Sequence, residues 1–292
     1  MILGDWIYYN HGWIKSCAPH EDPDLGPLES GELFKLGGIL ARYTTEFDCK
    51  DGTYSEWWYT IKDTVFDISS LKSKRRYVIL QGDKNFDVRT IDPLNCTEEM
   101  FGILDRAYYA YPRKYRPILD KDKVIAEFKS WTNNNEEGYV VYGAYYKGSN
   151  QLAGYALMQE KPSHIDFLMQ RVDPEFEKYQ INAALIHKIV DDYGSKIESG
   201  KYICDGSRNI LHETHFQDYL EKYFGFRKAY CKLHIVYARK YRLLVRFLYV
   251  FRKLFRKLDK IKKIHQINGV LLMEEIVRKQ NKNTNKVVEA NK

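Results

Sequence analysis

The stretch that decides the fold is residues 172–193, VDPEFEKYQINAALIHKIVDDY. Ahead of it, residues 165–172 form an apolar, strand-like run that feeds straight into Asp173-Pro174-Glu175. Those three residues make a helix entrance. Asp173 caps free amides, Pro174 suits the first helical position, and Glu175 meets the positive end of the dipole. Phe176, Tyr179, Ala183, Ile186, Val190 and Tyr193 recur at three- and four-residue steps, which predicts one helix with one apolar face and Gly194 as its stop. Strand, tight turn and long helix together offer backbone amides that can hold a phosphate.

Upstream, residues 77–81, 82–85 and 86–91 read as strand, turn, strand, and residues 97–109 and 120–131 as two helices. Strands 139–146 and 151–160 flank the turn Lys147-Gly148-Ser149-Asn150. Downstream come a short strand at 201–204, a helix at 211–224 closed by Gly225, and a long last strand at 226–237. Residues 1–84 read as a β-rich extension with strands at 6–14 and 33–47, and Trp57-Trp58 as packing residues. The fold class is α+β (mixed α/β), a central mixed sheet flanked by helices, over residues 85–238. A basic helical tail at 239–280 and a disordered end at 281–292 complete the chain.

The net charge of +7 is concentrated near the C-terminus. Eleven Lys or Arg and one acid lie between Ala238 and Ile264, which leaves the rest of the chain slightly acidic. The five cysteines are far apart with no CxxC pair, which argues against a disulfide framework or a zinc site and for a reducing compartment. The first residues, MILGDWIYYNHGW, lack the charge and apolar core of a signal peptide. No run of apolar residues is long enough to span a membrane.

The order of elements from about Asn85 to Tyr237 resembles the GNAT acyltransferase fold. Arg171-Val172-Asp173-Pro174-Glu175 is similar to that family's cofactor-binding strand and turn, and Tyr223-Phe224-Gly225-Phe226 to its last helix end and strand. The N-terminal part faintly resembles FemAB-type relatives, which pair two such domains. The GNAT resemblance implies acetyl-coenzyme A, or another acyl-coenzyme A, as donor. Its pyrophosphate would lie on the amides of Gln180, Ile181, Asn182, Ala183 and Ala184. Its pantetheine arm would pair with the edge of Leu168, Gln170 and Val172 as an added strand. Thr214 falls where the family has an Asn on the cofactor arm. The family's pyrophosphate loop is basic and carries two glycines, whereas this chain has Glu177, Gln180 and Asn182. Gln180 and Asn182 would either obstruct phosphate or replace amides with side-chain donors.

Acyl transfer needs a base for the acceptor proton and an acid for the leaving group. Strict alternation puts Asp166, Leu168 and Gln170 on one strand face, which makes Asp166 the candidate base. Tyr223 is the candidate acid, with core packing as its ordinary alternative. The polar segment 205–209 would border the substrate cleft, giving Arg208 and His212 as candidate acceptor contacts. His212 and His215 have HxxH spacing with Cys204 upstream, but no third ligand comes from spacing, so no metal site is assigned.

In the tail, Leu244, Phe247, Phe251, Leu254, Leu258 and Ile261 are spaced 3, 4, 3, 4, 3 among basic residues. That is a basic amphipathic helix suited to an anionic membrane surface. Docking on its own domain and a homodimer seam are the other readings. A nucleic-acid partner fits poorly, because the segment is too rich in Leu and Phe. The resemblance thus implies an N-acyltransferase acting on an amine, an amino sugar or a cell-envelope precursor, cytoplasmic and peripheral on the inner membrane face. A FemAB-like aminoacyl transferase and an inactive adaptor on the same scaffold remain open.

Overall fold

A computed structural model describes residues 1–49, 55–111, 116–132, 137–210 and 215–290. Its elements begin with β1 (Ile2–Leu3), β2 (Trp6–Tyr9), β3 (Gly12–Lys15), α1 (Gly26–Glu29), α2 (Glu32–Lys35), β4 (Leu40–Thr45) and β5 (Trp58–Lys62). Next come α3 (Ser73–Asn85), β6 (Phe86–Ile91), α4 (Thr97–Tyr109), α5 (Lys121–Ser130), β7 (Tyr139–Tyr146), β8 (Gln151–Glu160) and β9 (Ile165–Val172). Then come α6 (Ile181–Asp192), α7 (Gly194–Glu198), β10 (Ile203–Ser207), α8 (Phe216–Phe224), β11 (Arg227–Tyr230) and β12 (Lys232–Tyr237). The chain ends with α9 (Arg239–Val250), α10 (Arg252–Lys257) and α11 (Lys262–Ala290).

The chain divides into two units. One comprises Met1–Thr60, Ser207–Thr214 and Lys228–Lys292, the other Ile61–Gly206 and His215–Arg227. The expected N-terminal extension and basic tail therefore share one unit, and the second unit begins near residue 61 rather than 85.

The first unit carries a five-stranded sheet, β1-β2-β3-β4-β12. Trp6 and Trp13 are fully buried on it with Leu33 and Ala41, and each indole nitrogen donates to a backbone carbonyl, of Asp24 and of Leu33. Trp57 is buried with Cys231, Leu233, Met273 and Ile276, which bears out its reading as a packing residue. Gln280 fastens α11 to β12. Its side-chain oxygen accepts from the Leu233 amide at 2.9 Å and its nitrogen donates to the Leu233 carbonyl at 3.1 Å, as a neighbouring strand would.

The second unit is built on a seven-stranded sheet, β11-β5-β10-β9-β8-β7-β6, in which β5 and β11 are divided between the units. β6 to β9 are antiparallel neighbours and β10 joins β9 in parallel. One apolar cluster lies between this sheet and α3, α6 and α8; another lies under α4 and α5. β7, β8, β9 and α4 have the bounds the sequence predicts. Asp120 caps α5, its carboxylate accepting from the Lys123 amide.

Other expectations need correcting. Residues 77–85 are helix, the end of α3, not strand and turn. The run Tyr77-Val78-Ile79-Leu80 looks strand-like, but in α3 only Ile79 and Gly82 are buried, a helical spacing. The long helix from Asp173 is two elements. Pro174–Tyr179 is a 3-10 turn, Gln180 takes a left-handed conformation (φ 67°), and α6 starts at Ile181. The helix does end ahead of Gly194, with Tyr193 as the cap of α6, and Gly194 then opens the short helix α7. The last strand breaks at Cys231, and its halves join different sheets. The expected disordered end is helical, since α11 runs to Ala290.

Gly82 sets the distance between α3 and α6. A Cβ there would lie 2.7 Å from the Gln180 carbonyl oxygen and 2.9 Å from the Ala184 amide nitrogen, so only glycine lets the two backbones touch. In an exposed helix Gly→Ala would stabilise by about 1 kcal/mol. Here overpacking reverses the sign. Gly82→Ala should destabilise the protein by about 1–3 kcal/mol in urea unfolding, and a stabilised variant would refute the close contact.

Candidate functional site

The site forms where β9 leaves its neighbour. The parallel ladder between β9 and β10 has two rungs, Ile165 with Ile203 and Asp166 with Cys204. On the other edge of β9 the register to β8 slips: Met158 faces Phe167 and Leu157 faces Met169, so Leu168 is an extra, unpaired residue. A bulge of this kind bends a strand and re-aims its side chains. It also changes which residues share a face. Phe167 packs in the cluster beneath α6, whereas Met169 packs beneath α4. Leu168 is exposed. Gln170 is back on the α6 side, where its Nε2 donates to Asn182 Oδ1 at 2.5 Å. Strict alternation therefore fails, and Asp166 and Gln170 lie on opposite faces rather than together.

The entrance to α6 is narrowed by the chain's own contacts. Among its first amides, that of Gln180 donates to the Glu177 carbonyl, and those of Ala183 and Ala184 donate to the Gln180 carbonyl. Ile181, Ala183 and Ala184 are buried. Gly154 of β8 admits Ile181 and Val172, each within about a methyl's contact distance of where its Cβ would lie. From the α3 side, Gly82 lies against the first turn of α6, and Asn85 Nδ2 donates to the Tyr179 carbonyl at 3.2 Å. Asn182 and Gln170 close the side toward β9. The remaining acceptor of Gln170, Oε1, is buried and has no hydrogen-bond partner among the described residues. Glu177 and that oxygen are both acceptors, whereas a diphosphate needs donors. Asp173 is committed elsewhere: it is buried, caps the turn at the Glu175 amide, and is held by Arg106 of α4 at 2.6 Å.

One rung beyond the last β9–β10 pair stands Asp205. Alternation from the buried Ile203 aims it at the α6 and α8 side. Burial pushes its carboxyl up to about 7, against a smaller lowering by a hydrogen bond with Gln217 of α8. Phe216, next to Gln217, meets Phe167 edge-on, with ring centres 5.7 Å apart. A carboxyl poised near neutrality where two strands part is the arrangement a general base requires. It escaped the sequence reading because Asp205-Gly206-Ser207-Arg208-Asn209 looks like a polar loop, whereas β10 runs on to Ser207. The available signal was its two-residue step from Ile203.

The other candidates scatter. Asp166 is paired with the buried His164, Nε2 to Oδ1 at 3.2 Å, and His164 stacks near Tyr202. Tyr223 lies against Tyr219 on α8 with ring centres 4.7 Å apart, and among the described residues no hydrogen bond joins it to Asp166. Arg208, in the first unit, donates to the Glu56 carbonyl and lies 4.6 Å from the Trp58 ring centre. His212 and Thr214 lie outside the described residues. Among the described residues no cluster of His, Cys, Asp or Glu has the makings of a metal site.

The raised carboxyl of Asp205 also bears on stability. Its ordinary value is 3.8, so between about pH 4 and pH 7 the folded chain keeps a proton that the unfolded chain has lost. Stability from this group is full below that window and declines as pH rises through about 7. Asp205→Asn should therefore melt higher than the parent at pH 8, with the gap closing at pH 5. An equal gap at both pH values would show that the carboxyl is not raised.

No family model matches the sequence, and no curated protein does. Solved structures do match. The C-terminal domain of a protein from Agrobacterium fabrum assigned as a lysylphosphatidylglycerol synthetase superposes with a TM-score of 0.51 at 10% identity, over 83% of this chain and 82% of that one. The L-PGS protein of Bacillus licheniformis gives 0.48 at 12% identity, over 93% and 84%. FemX gives 0.48 at 10% identity, over 74% and 77%. The chain has the GNAT-like fold that its sequence resembles.

Proposed function

We propose that this chain is an acyl transferase whose donor is an aminoacyl ester, passed to an amine or hydroxyl acceptor, rather than a coenzyme A-dependent acetyltransferase. The observation that carries this reading is the narrowed entrance of α6. Coenzyme A needs open amides and donors for its diphosphate. Here the Gln170–Asn182 hydrogen bond and the Gly82 contact narrow that entrance, and Glu177 adds an acidic side chain to the turn before it. The name of the Agrobacterium relative also describes an aminoacyl group joined to a phospholipid.

The chemistry asks little of a diphosphate site. The acceptor nitrogen or oxygen attacks the ester carbonyl and a new acyl bond forms. The ester C–O bond breaks and its electrons leave with the donor's hydroxyl. Asp205, near half-ionised at neutral pH, takes the acceptor proton and is placed to return it to the leaving oxygen. The stretch of β9 past Asp166, which has no rung to β10, would supply an amide to the carbonyl oxygen as charge develops.

A second reading keeps acyl-coenzyme A as donor. It is favoured by the parting of β9 from β10 beside the Leu168 bulge, which leaves a strand edge for the pantetheine arm. Calorimetric titration separates the two. Acetyl-coenzyme A should give no heat and no melting shift, while an RNA bearing an esterified, labelled amino acid should lose its label to an added amine or lipid acceptor. Tight binding of acetyl-coenzyme A would overturn the first reading. In whichever assay turns over, Asp205→Asn should lower the rate by about 10²–10⁴-fold, and the parent rate should rise with pH through about 7.

A further inference from the structure

Helices α9 and α10 present their apolar side outward. Leu243, Phe247, Val250 and Leu254 are 72, 61, 69 and 56% exposed, and all lie along one stripe at three- and four-residue steps. Leu258 and Ile261 continue it beyond α10, and both are exposed. The inward side carries Val245, Leu248 and Phe255 together with a set of polar contacts to α11. Tyr249 lies between Arg252 and Arg278, whose guanidinium carbons are 4.3 and 4.0 Å from its ring centre. Arg252 and Arg256 reach Glu275 of α11, and Asn268 bonds both the Phe255 carbonyl and Asp259. A helix pair held by ion pairs and hydrogen bonds while its Leu and Phe side chains face water leaves its apolar stripe without a partner.

The charges beside that stripe identify the partner's chemistry. Arg242, Arg246, Lys253, Lys257 and Lys260 are all exposed along the same helices. A second copy of the chain would set two such cationic faces against each other, whereas an anionic lipid surface complements them. We infer that the outer face of α9 and α10 docks on a bilayer containing anionic phospholipid, its apolar stripe entering the headgroup region and its cations meeting the phosphates. No described helix is long and apolar enough to cross a membrane, so the contact is with the surface. The inference rests on the first unit alone and does not depend on the donor proposed above.

Vesicle flotation of the full chain tests it. Vesicles of mixed phosphatidylglycerol and phosphatidylcholine should carry the chain upward, and vesicles of phosphatidylcholine alone should carry at least tenfold less. The double change Phe247→Ser with Leu254→Ser removes exposed side chains only. It should leave the melting temperature unchanged and cut flotation at least tenfold. Arg242→Gln with Arg246→Gln should weaken flotation on the anionic vesicles and reduce its sensitivity to salt. Equal flotation on both vesicle types, or none on either, would overturn the inference. So would a dimer seen by light scattering that the serine variant converts to monomer.

Discussion

The second unit depends on a single inserted residue in β9. A strand paired on both edges along its whole length would close the sheet and leave no recess. Leu168 breaks the register with β8, and the ladder with β10 ends after the Asp166–Cys204 rung. The two events are neighbours along the strand. A bulge raises the local twist, and two parallel strands of unequal twist cannot stay in hydrogen-bonding distance for long. The parting of the strands sets the chemistry of the recess. Asp205 stands one residue beyond the last rung to β9, deep enough to be desolvated.

The entrance of α6 shows how a backbone can be kept while its use changes. Gln180 adopts the left-handed conformation that glycine would adopt more easily, so the turn into the helix survives without glycine. The side chains that replace the glycines then fill the space that glycine leaves open. Asn182 is tied to Gln170, and Gly82 of α3 seals the far side. The glycine that matters here lies on the helix packed against the turn, where it lets two helices touch.

Much of this was legible in the residues, and the failures have physical causes. Strands β7, β8 and β9 announce themselves by β-branched and aromatic runs bounded by turn residues. Helix α4 announces itself by Glu98 and Glu99 ahead of an apolar face. The α3 helix was hidden because four consecutive apolar residues fit a strand as well as a helix. Only tertiary contact decides that Ile79 and Gly82 face inward while Tyr77 and Leu80 do not. The bulge leaves no mark in composition, so any assignment by alternation past Phe167 puts side chains on the wrong faces. That error joined Asp166 to Gln170. The break at Cys231 was equally silent, because both halves of the run are good strand formers and only the sheets they join differ.

The tail shows the converse. Its heptad-like spacing marked one apolar face and left open whether that face was buried. The answer lies some twenty residues further on, in Glu274, Glu275 and Arg278 of α11, and in Asn268. Those side chains neutralise the basic residues that turn inward beside Val245, Leu248 and Phe255, while the stripe of Leu243, Phe247, Val250 and Leu254 stays exposed. Gln280 in turn holds α11 against β12 by two backbone bonds, which fixes the platform to the sheet of the first unit. An apolar stripe facing water has a hydration cost that grows with its area, about 25 cal/mol for each Å². A chain that builds an ion-paired platform to keep such a stripe outside is stabilised again only when something other than water covers it.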